Sequence, residues 1–107
     1  TVGHGGCFGC IHSVRGAGGY QMFGITPMPI YDPAQTVPYL RDFMCLFRPG
    51  DIVRWRPIGR EEYDETVAAV DAGSWAPRIA PVTFSLDAFR RDAAGSNARI
   101  MEALDGR

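Results

Sequence analysis

The segment His4-Gly5-Gly6-Cys7-Phe8-Gly9-Cys10-Ile11-His12 puts two thiols and two imidazoles within nine residues. Cys7 and Cys10 have the C-x-x-C spacing of zinc ligands and redox dithiols. The alternative is a strand whose small thiols pack inside. Residues three apart on a strand point to opposite faces, so Cys7 and Cys10 chelate one ion only if the segment turns between them. Cys10 and His12 do share a face. No second C-x-x-C or H-x3-H pair follows, so the packing reading is the expected one and no metal site is assigned.

His4-Gly5-Gly6 also has the make-up of a backbone-donor strip for an oxyanion. No G-x-S-x-G elbow accompanies it, so the esterase reading lacks its nucleophile. Consecutive glycine N–H groups at Gly5 and Gly6 remain able to form a nest for an oxyanion or carboxylate; a tight start to a strand is the simpler alternative. Thr1 stands first in the sequence. If it is a processed terminus, its α-amine would activate its own hydroxyl as a nucleophile. Gln21 and Thr26 are polar groups in glycine-rich, apolar surroundings, suited to hydrogen-bonding a planar amide or ureido group or, more simply, to surface and turn positions. Arg54 and Arg56 read as a solvated strand face, with a carboxylate clamp as the alternative.

The elements that would hold these groups are short. Eight of the 13 glycines lie in the first 24 residues. Residues 7–14 and 20–23 read as two strands, joined as a hairpin by residues 15–19. Residues 25–38 carry four prolines and must be extended or irregular. Residues 39–47 are apolar and fit a short helix or a strand equally. Arg48-Pro49-Gly50-Asp51 is a turn, and residues 52–58 alternate as a strand. Residues 59–72 form the clearest helix, with Glu61 and Glu62 in its first turn, an apolar stripe at Tyr63, Val67 and Val70, and Gly73 as its stop. Residues 74–81 make an extended arm. Ser85 caps a short helix running to residue 94, and Gly95-Ser96-Asn97 separates it from a last helix ending near Leu104. The expected fold is mainly β. Residues 1–84 form the strand-rich part and residues 85–107 a helical extension.

Composition narrows the function. The chain has 107 residues and a net charge of −1, so no basic field draws nucleic acid or an anionic membrane. No apolar run of about 18 residues occurs to span a bilayer. Every basic side chain among the 11 is arginine. The chain therefore carries no biotinyl-lysine, Schiff-base lysine or lysine P-loop. An odd count of three cysteines fits a reducing cytoplasm better than a secreted disulfide framework.

Taken together, several motifs resemble one family. They are Gly3 to Gly6 before a cysteine-bearing strand, Gly18-Gly19-Tyr20-Gln21-x-x-Gly24-x-Thr26-Pro27-Met28, Tyr31-Asp32-Pro33, and Arg48-Pro49-Gly50-Asp51-Ile52-Val53-Arg54-Trp55-Arg56-Pro57-Ile58 before an acidic helix. The family is allophanate hydrolase subunit 1, which is also the C/D-type part of the carboxyltransferase domain of urea carboxylase and a subunit (B-like) of 5-oxoprolinase. The resemblance covers residues 1 to about 89. It implies a partial cyclophilin-like β-barrel with peripheral helices. It also implies a second subunit, either an A/B-type carboxyltransferase module or the N-terminal part of the same precursor, and a small amide, urea or lactam substrate.

Biotin and ATP, if used, would belong to that partner; no cofactor is expected on this chain. Thr1, His4 and His12 are the candidate catalytic residues. Gly5, Gly6, Gly18, Gly19, Gln21 and Thr26 are the candidate substrate contacts. Two departures stand out: Ile25 replaces the arginine usual between Gly24 and Thr26, and His4 replaces an aliphatic residue. Because the family implies sequence before residue 1, cleavage before Thr1 would set a free threonine amine near His4. Two alternatives to the subunit reading are an amidohydrolase using Thr1 as nucleophile and a non-catalytic regulatory module.

Overall fold

In the computed structural model, which describes residues 1–106, Gly6 and Cys7 form a two-residue loop that folds the chain back on itself. Gly6 has φ +62°. A glycine first in a two-residue loop is what a II′-type hairpin turn requires. The loop joins β1 (Val2–Gly5) to β2 (Phe8–Ile11), with Val2 opposite Ile11 and Gly5 opposite Phe8. β3 (Gln21–Gly24) pairs antiparallel with the other edge of β1, giving the order β2-β1-β3. A register shift between Val2 and Gly3 leaves Phe23 as the extra residue of a bulge.

The expected hairpin is therefore corrected. The strands on either side of residues 15–19 do not pair with each other; both pair with β1. The sequence offers residues 3–6 only as the tight start of a strand, since glycine is a poor strand former. Here the glycines sit in the central strand because large neighbours need the room.

The second part of this unit is a strap. Asp32 N donates to Met44 O at 2.8 Å and Leu46 N to Ile30 O at 2.8 Å, and Tyr31 bridges Cys45. The chain between them is tied by one carboxylate. Asp32 accepts from Ala34 N at 3.1 Å, Thr36 N at 2.8 Å, Thr36 Oγ1 at 3.1 Å and Val37 N at 2.9 Å. The Val37 N–H above all, and then Thr36 and Ala34, hold its carboxyl below the usual value against the opposing effect of desolvation. Gln35 takes φ +54° in this loop, and its side-chain amide donates to Arg41 O at 2.6 Å. A single 3-10 turn, Pro38–Leu40, places Leu40 at 0% exposure. Tyr39 donates to Pro29 O at 2.7 Å and meets Trp75 edge-on, with ring centroids 4.9 Å apart. Burial and the Asp32 charge push its phenol up to about 12.

At Arg48–Asp51 the expected turn forms. Gly50 has φ +93° after Pro49, the pattern of a type II turn, and Asp51 accepts from Arg48 N at 2.9 Å. The expected strand over residues 52–58 does not form; the segment joins no sheet. Alternation of side chains predicts a face, yet a ladder also needs a neighbouring strand.

α1 (Arg60–Asp71) follows, with Arg60 bonded through Nε to both carboxylate oxygens of Asp64 at 2.9 and 2.8 Å. Arg56 forms an ion pair with Glu62 in its first turn. Its C-terminus is a complete Schellman closure: Gly73 N reaches Val70 O and Ser74 N reaches Ala69 O, both at 3.0 Å, with Gly73 at φ +70°.

The chain divides into two compact units, Thr1–Ala76 and Pro77 onward, whereas the sequence reading draws its line after residue 84. In the second unit Ser85 caps α2 (Leu86–Arg91), and Asp92 both ends α2 and caps α3 (Ala93–Asp105). The expected break at Gly95-Ser96-Asn97 is absent. A Cβ on Gly95 would lie 2.1 Å from Asp92 Oδ2, so the glycine makes room for the capping carboxylate inside the helix's first turn.

The mainly-β expectation thus becomes a mixed α/β fold: one three-stranded antiparallel sheet, not a closed barrel, with three α-helices among the described residues. No helix there is long and apolar enough to cross a membrane. Replacing Leu40 by alanine should cost about 3 kcal/mol in chemical denaturation of the first unit. Acid should loosen the strap. Since the folded-state carboxyl of Asp32 lies below 3.8, its stabilisation is complete above that pH and is lost as pH falls through the lowered folded value. Asp32→Asn should flatten the acid limb of a Trp75 fluorescence titration; an unchanged limb would contradict this.

Candidate functional site

Pairing register determines which predicted residues share a face. Residues opposite each other in an antiparallel ladder project to the same side. One face of the sheet therefore carries Val2, His4, Gly9, Ile11 and Gln21. His4 stands opposite Gly9, which has no side chain to cover it, on one side and Gln21 on the other. Its imidazole is exposed, and its ring centroid lies 6.4 Å from that of Phe23. Phe23, two residues along β3 from Gln21, projects to the same side. The result is a small open platform: an imidazole, a carboxamide and an aromatic ring.

The other face is packed by a different logic. A Cβ on Gly5 would lie 2.5 Å from Cδ1 of Tyr20, and one on Gly3 would lie 3.2 Å from Met22 Sδ. The glycines of β1 are thus the floor on which Tyr20 and Met22 lie. Gly5 stands in the ladder opposite Phe8, which leaves Gly6, in the loop, as the glycine of that pair outside it. A nest of two consecutive free N–H groups is not formed there.

Thr1 and His4 are not brought together. Three residues apart on an extended chain, they fall on opposite faces. The residue that adjoins Thr1 is His12, whose N–H donates to Thr1 O at 2.9 Å, extending the β1–β2 ladder by one pair. His12 Nε2 is buried without a hydrogen-bond partner. Its ring lies against Gly18, where a Cβ would be 3.0 Å from Cε1, so Gly18 serves the packing of His12. Gly19 has open space around it. Thr26 lies beyond β3 and donates to Met28 O at 3.3 Å. Cys7 and Cys10 are free thiols, as is Cys45, and no group of three or more metal-ligating side chains forms among the described residues.

Two contributors were missed by the sequence reading as site residues. Phe23 reaches His4 through the pairing of β3 with β1, which no pattern announced. Tyr20 had a visible signal, since glycine at alternate strand positions 3 and 5 is what a large cross-strand neighbour needs. Gly5→Ala should therefore destabilise the sheet by about 1–3 kcal/mol through overpacking. In the double variant Gly5→Ala/Tyr20→Ala, the alanine at 5 should cost far less than it does alone. Thermal melts of the four proteins in this cycle check it; additive losses would contradict the contact.

No family model and no solved structure matches the chain. Two curated proteins are similar to it. The urea amidolyase of Lachancea kluyveri is 30% identical over 84 residues, which is 78% of this chain and 4% of that protein. The urea amidolyase of Saccharomyces cerevisiae is 30% identical over 96 residues, 85% of this chain and 5% of that protein. The similarity runs through most of this chain, which spans only a small fraction of the length of these relatives.

Proposed function

We propose that the chain is one piece of an enzyme that acts on a small amide, urea or lactam, by carboxyl transfer or amide hydrolysis, together with a partner polypeptide. The observation that carries the reading is the similarity to urea amidolyase over 84 residues. The open platform supports it. A glutamine carboxamide offers one acceptor and two donors in a plane, the complement of a ureido or amide group. Next to it, the His4 imidazole can give or take a proton at the reacting group. Gln21 would hold the substrate and His4 would move the proton. Gly6 N–H is available as an additional donor to a developing oxyanion, and Thr26 would lie at the periphery.

A partner is supported by the apolar surface. Val2 and Leu40 are the only buried apolar side chains among the described residues, while Phe8 is 67% and Phe23 64% exposed. The chain exposes 8356 Å². Two separate compact bodies of these lengths would expose about 7,000 Å² by the usual size scaling. The open outer edges of β2 and β3 could accept further strands, in keeping with a barrel of cyclophilin type completed by an A/B-type module or by the rest of the same precursor. Biotin and ATP, where used, would reside on that polypeptide. The three free thiols accord with a cytoplasmic setting.

A second reading is favoured by one contact. Thr1 and His12 are cross-strand neighbours. In an amidohydrolase using Thr1, the hydroxyl would attack the amide carbon while His12 took its proton and passed it to the departing amine.

The native complex, purified with its bound polypeptides, is assayed for consumption of urea, a primary amide and 5-oxoproline, with ATP and bicarbonate present. Turnover of one of these, lowered roughly 100-fold by His4→Ala, is expected. Loss on Thr1→Ala with His4→Ala unaffected would transfer the chemistry to the second reading. A complex that binds a target protein and consumes none of the three would be a regulatory module instead.

A further inference from the structure

The second unit contains a cavity that the proposed chemistry does not use. It lies between the arm before α2 and one face of α3, and its volume is about 200 Å³. Its walls are largely apolar: Val82 and Phe84 from the arm, Ala88 from α2 and Ile100 from α3. The Phe84 ring is backed by Phe89, with centroids 5.7 Å apart at 47°. Ser96 and Arg99 add a polar end, and the hydroxyl residues Thr83 and Ser85 of the arm line it as well. Ser96 and Arg99 lie three residues apart on α3, so they share a helix face with Ile100. Ser96 is buried, 7% exposed, and its hydroxyl accepts from Arg99 Nη2 at 3.1 Å. None of the lining residues is acidic.

We propose that this cavity binds a small monocarboxylate with a flat apolar body. The argument is complementarity of charge and shape. A guanidinium presents two parallel N–H donors to a carboxylate, and one positive charge balances one negative charge. A dianionic phosphate would keep one negative charge uncompensated beside a single guanidinium. The apolar walls, with Phe84 fixed by Phe89, suit a ring behind the carboxylate rather than a hydrated ion. A buried serine hydroxyl at the apolar–polar boundary adds a donor that has no competing water once the ligand is seated.

Benzoate is the probe, titrated into the full chain while amide resonances of Phe84, Ala88, Ser96 and Ile100 are followed by NMR. Saturable shifts confined to these residues are expected. Benzamide, the neutral isostere, and Arg99→Gln should each weaken binding at least tenfold. Arg99 is exposed, so the variant should fold, and its remaining resonances report whether it does. Ala88→Leu keeps the charge but fills the cavity, and it too should abolish binding. Absence of saturable shifts overturns the proposal. So does equal affinity for benzamide, for inorganic phosphate or by the Arg99→Gln protein, or unchanged binding by Ala88→Leu. The outcome is independent of whether the sheet face turns over amides.

Discussion

The sheet depends on a steric constraint in β1. This strand is hydrogen-bonded along both edges, and on one face its side chains are hydrogen atoms. Tyr20 and Met22 occupy the space a Cβ would take at Gly5 and Gly3. The opposite face can then carry His4 beside Gln21, because the strand's packing has been settled on the side away from them. Glycine costs conformational entropy in a strand. Here that cost is offset by the contact of two large side chains with the backbone itself.

A similar economy holds the strap. One carboxylate satisfies three backbone N–H groups and a hydroxyl in a stretch with too many prolines to form a ladder of its own. Asp-Pro at 32–33 is an ordinary turn signal, but its reach to Thr36 and Val37 depends on how the loop closes, which short-range chemistry does not encode. Tyr39 and Trp75 then join the strap to the end of α1 by an edge-on ring contact.

Local chemistry was legible where a local rule is sufficient. The type II turn at Pro49-Gly50, the acidic first turn of α1, its stop at Gly73 and the Ser85 cap all follow from residues within one turn of each other. Pairing was not legible. The segment at 52–58 alternates as a strand would and yet joins no sheet, while a glycine-bearing tetrapeptide lies at the centre of one. Register also reassigned the site: His4 went to Gln21 and Phe23, and His12 went to Thr1 and Gly18. Period-two reasoning gave each residue its side but could not say which neighbour would stand across from it. Gly95 was misread because glycine inside a helix usually marks a break, and only the Asp92 cap shows why it is there.

Asp92 serves two helices at once, as the C-cap of one and the N-cap of the next. There is no slack between them. Adding or deleting one residue at this junction would swing every later α3 side chain by about 100° around the axis, carrying Ser96 and Arg99 away from the arm. Length drift in this chain should therefore be tolerated in the stretch between β2 and β3, where glycines leave the path loosely defined, and selected against at the helix junction.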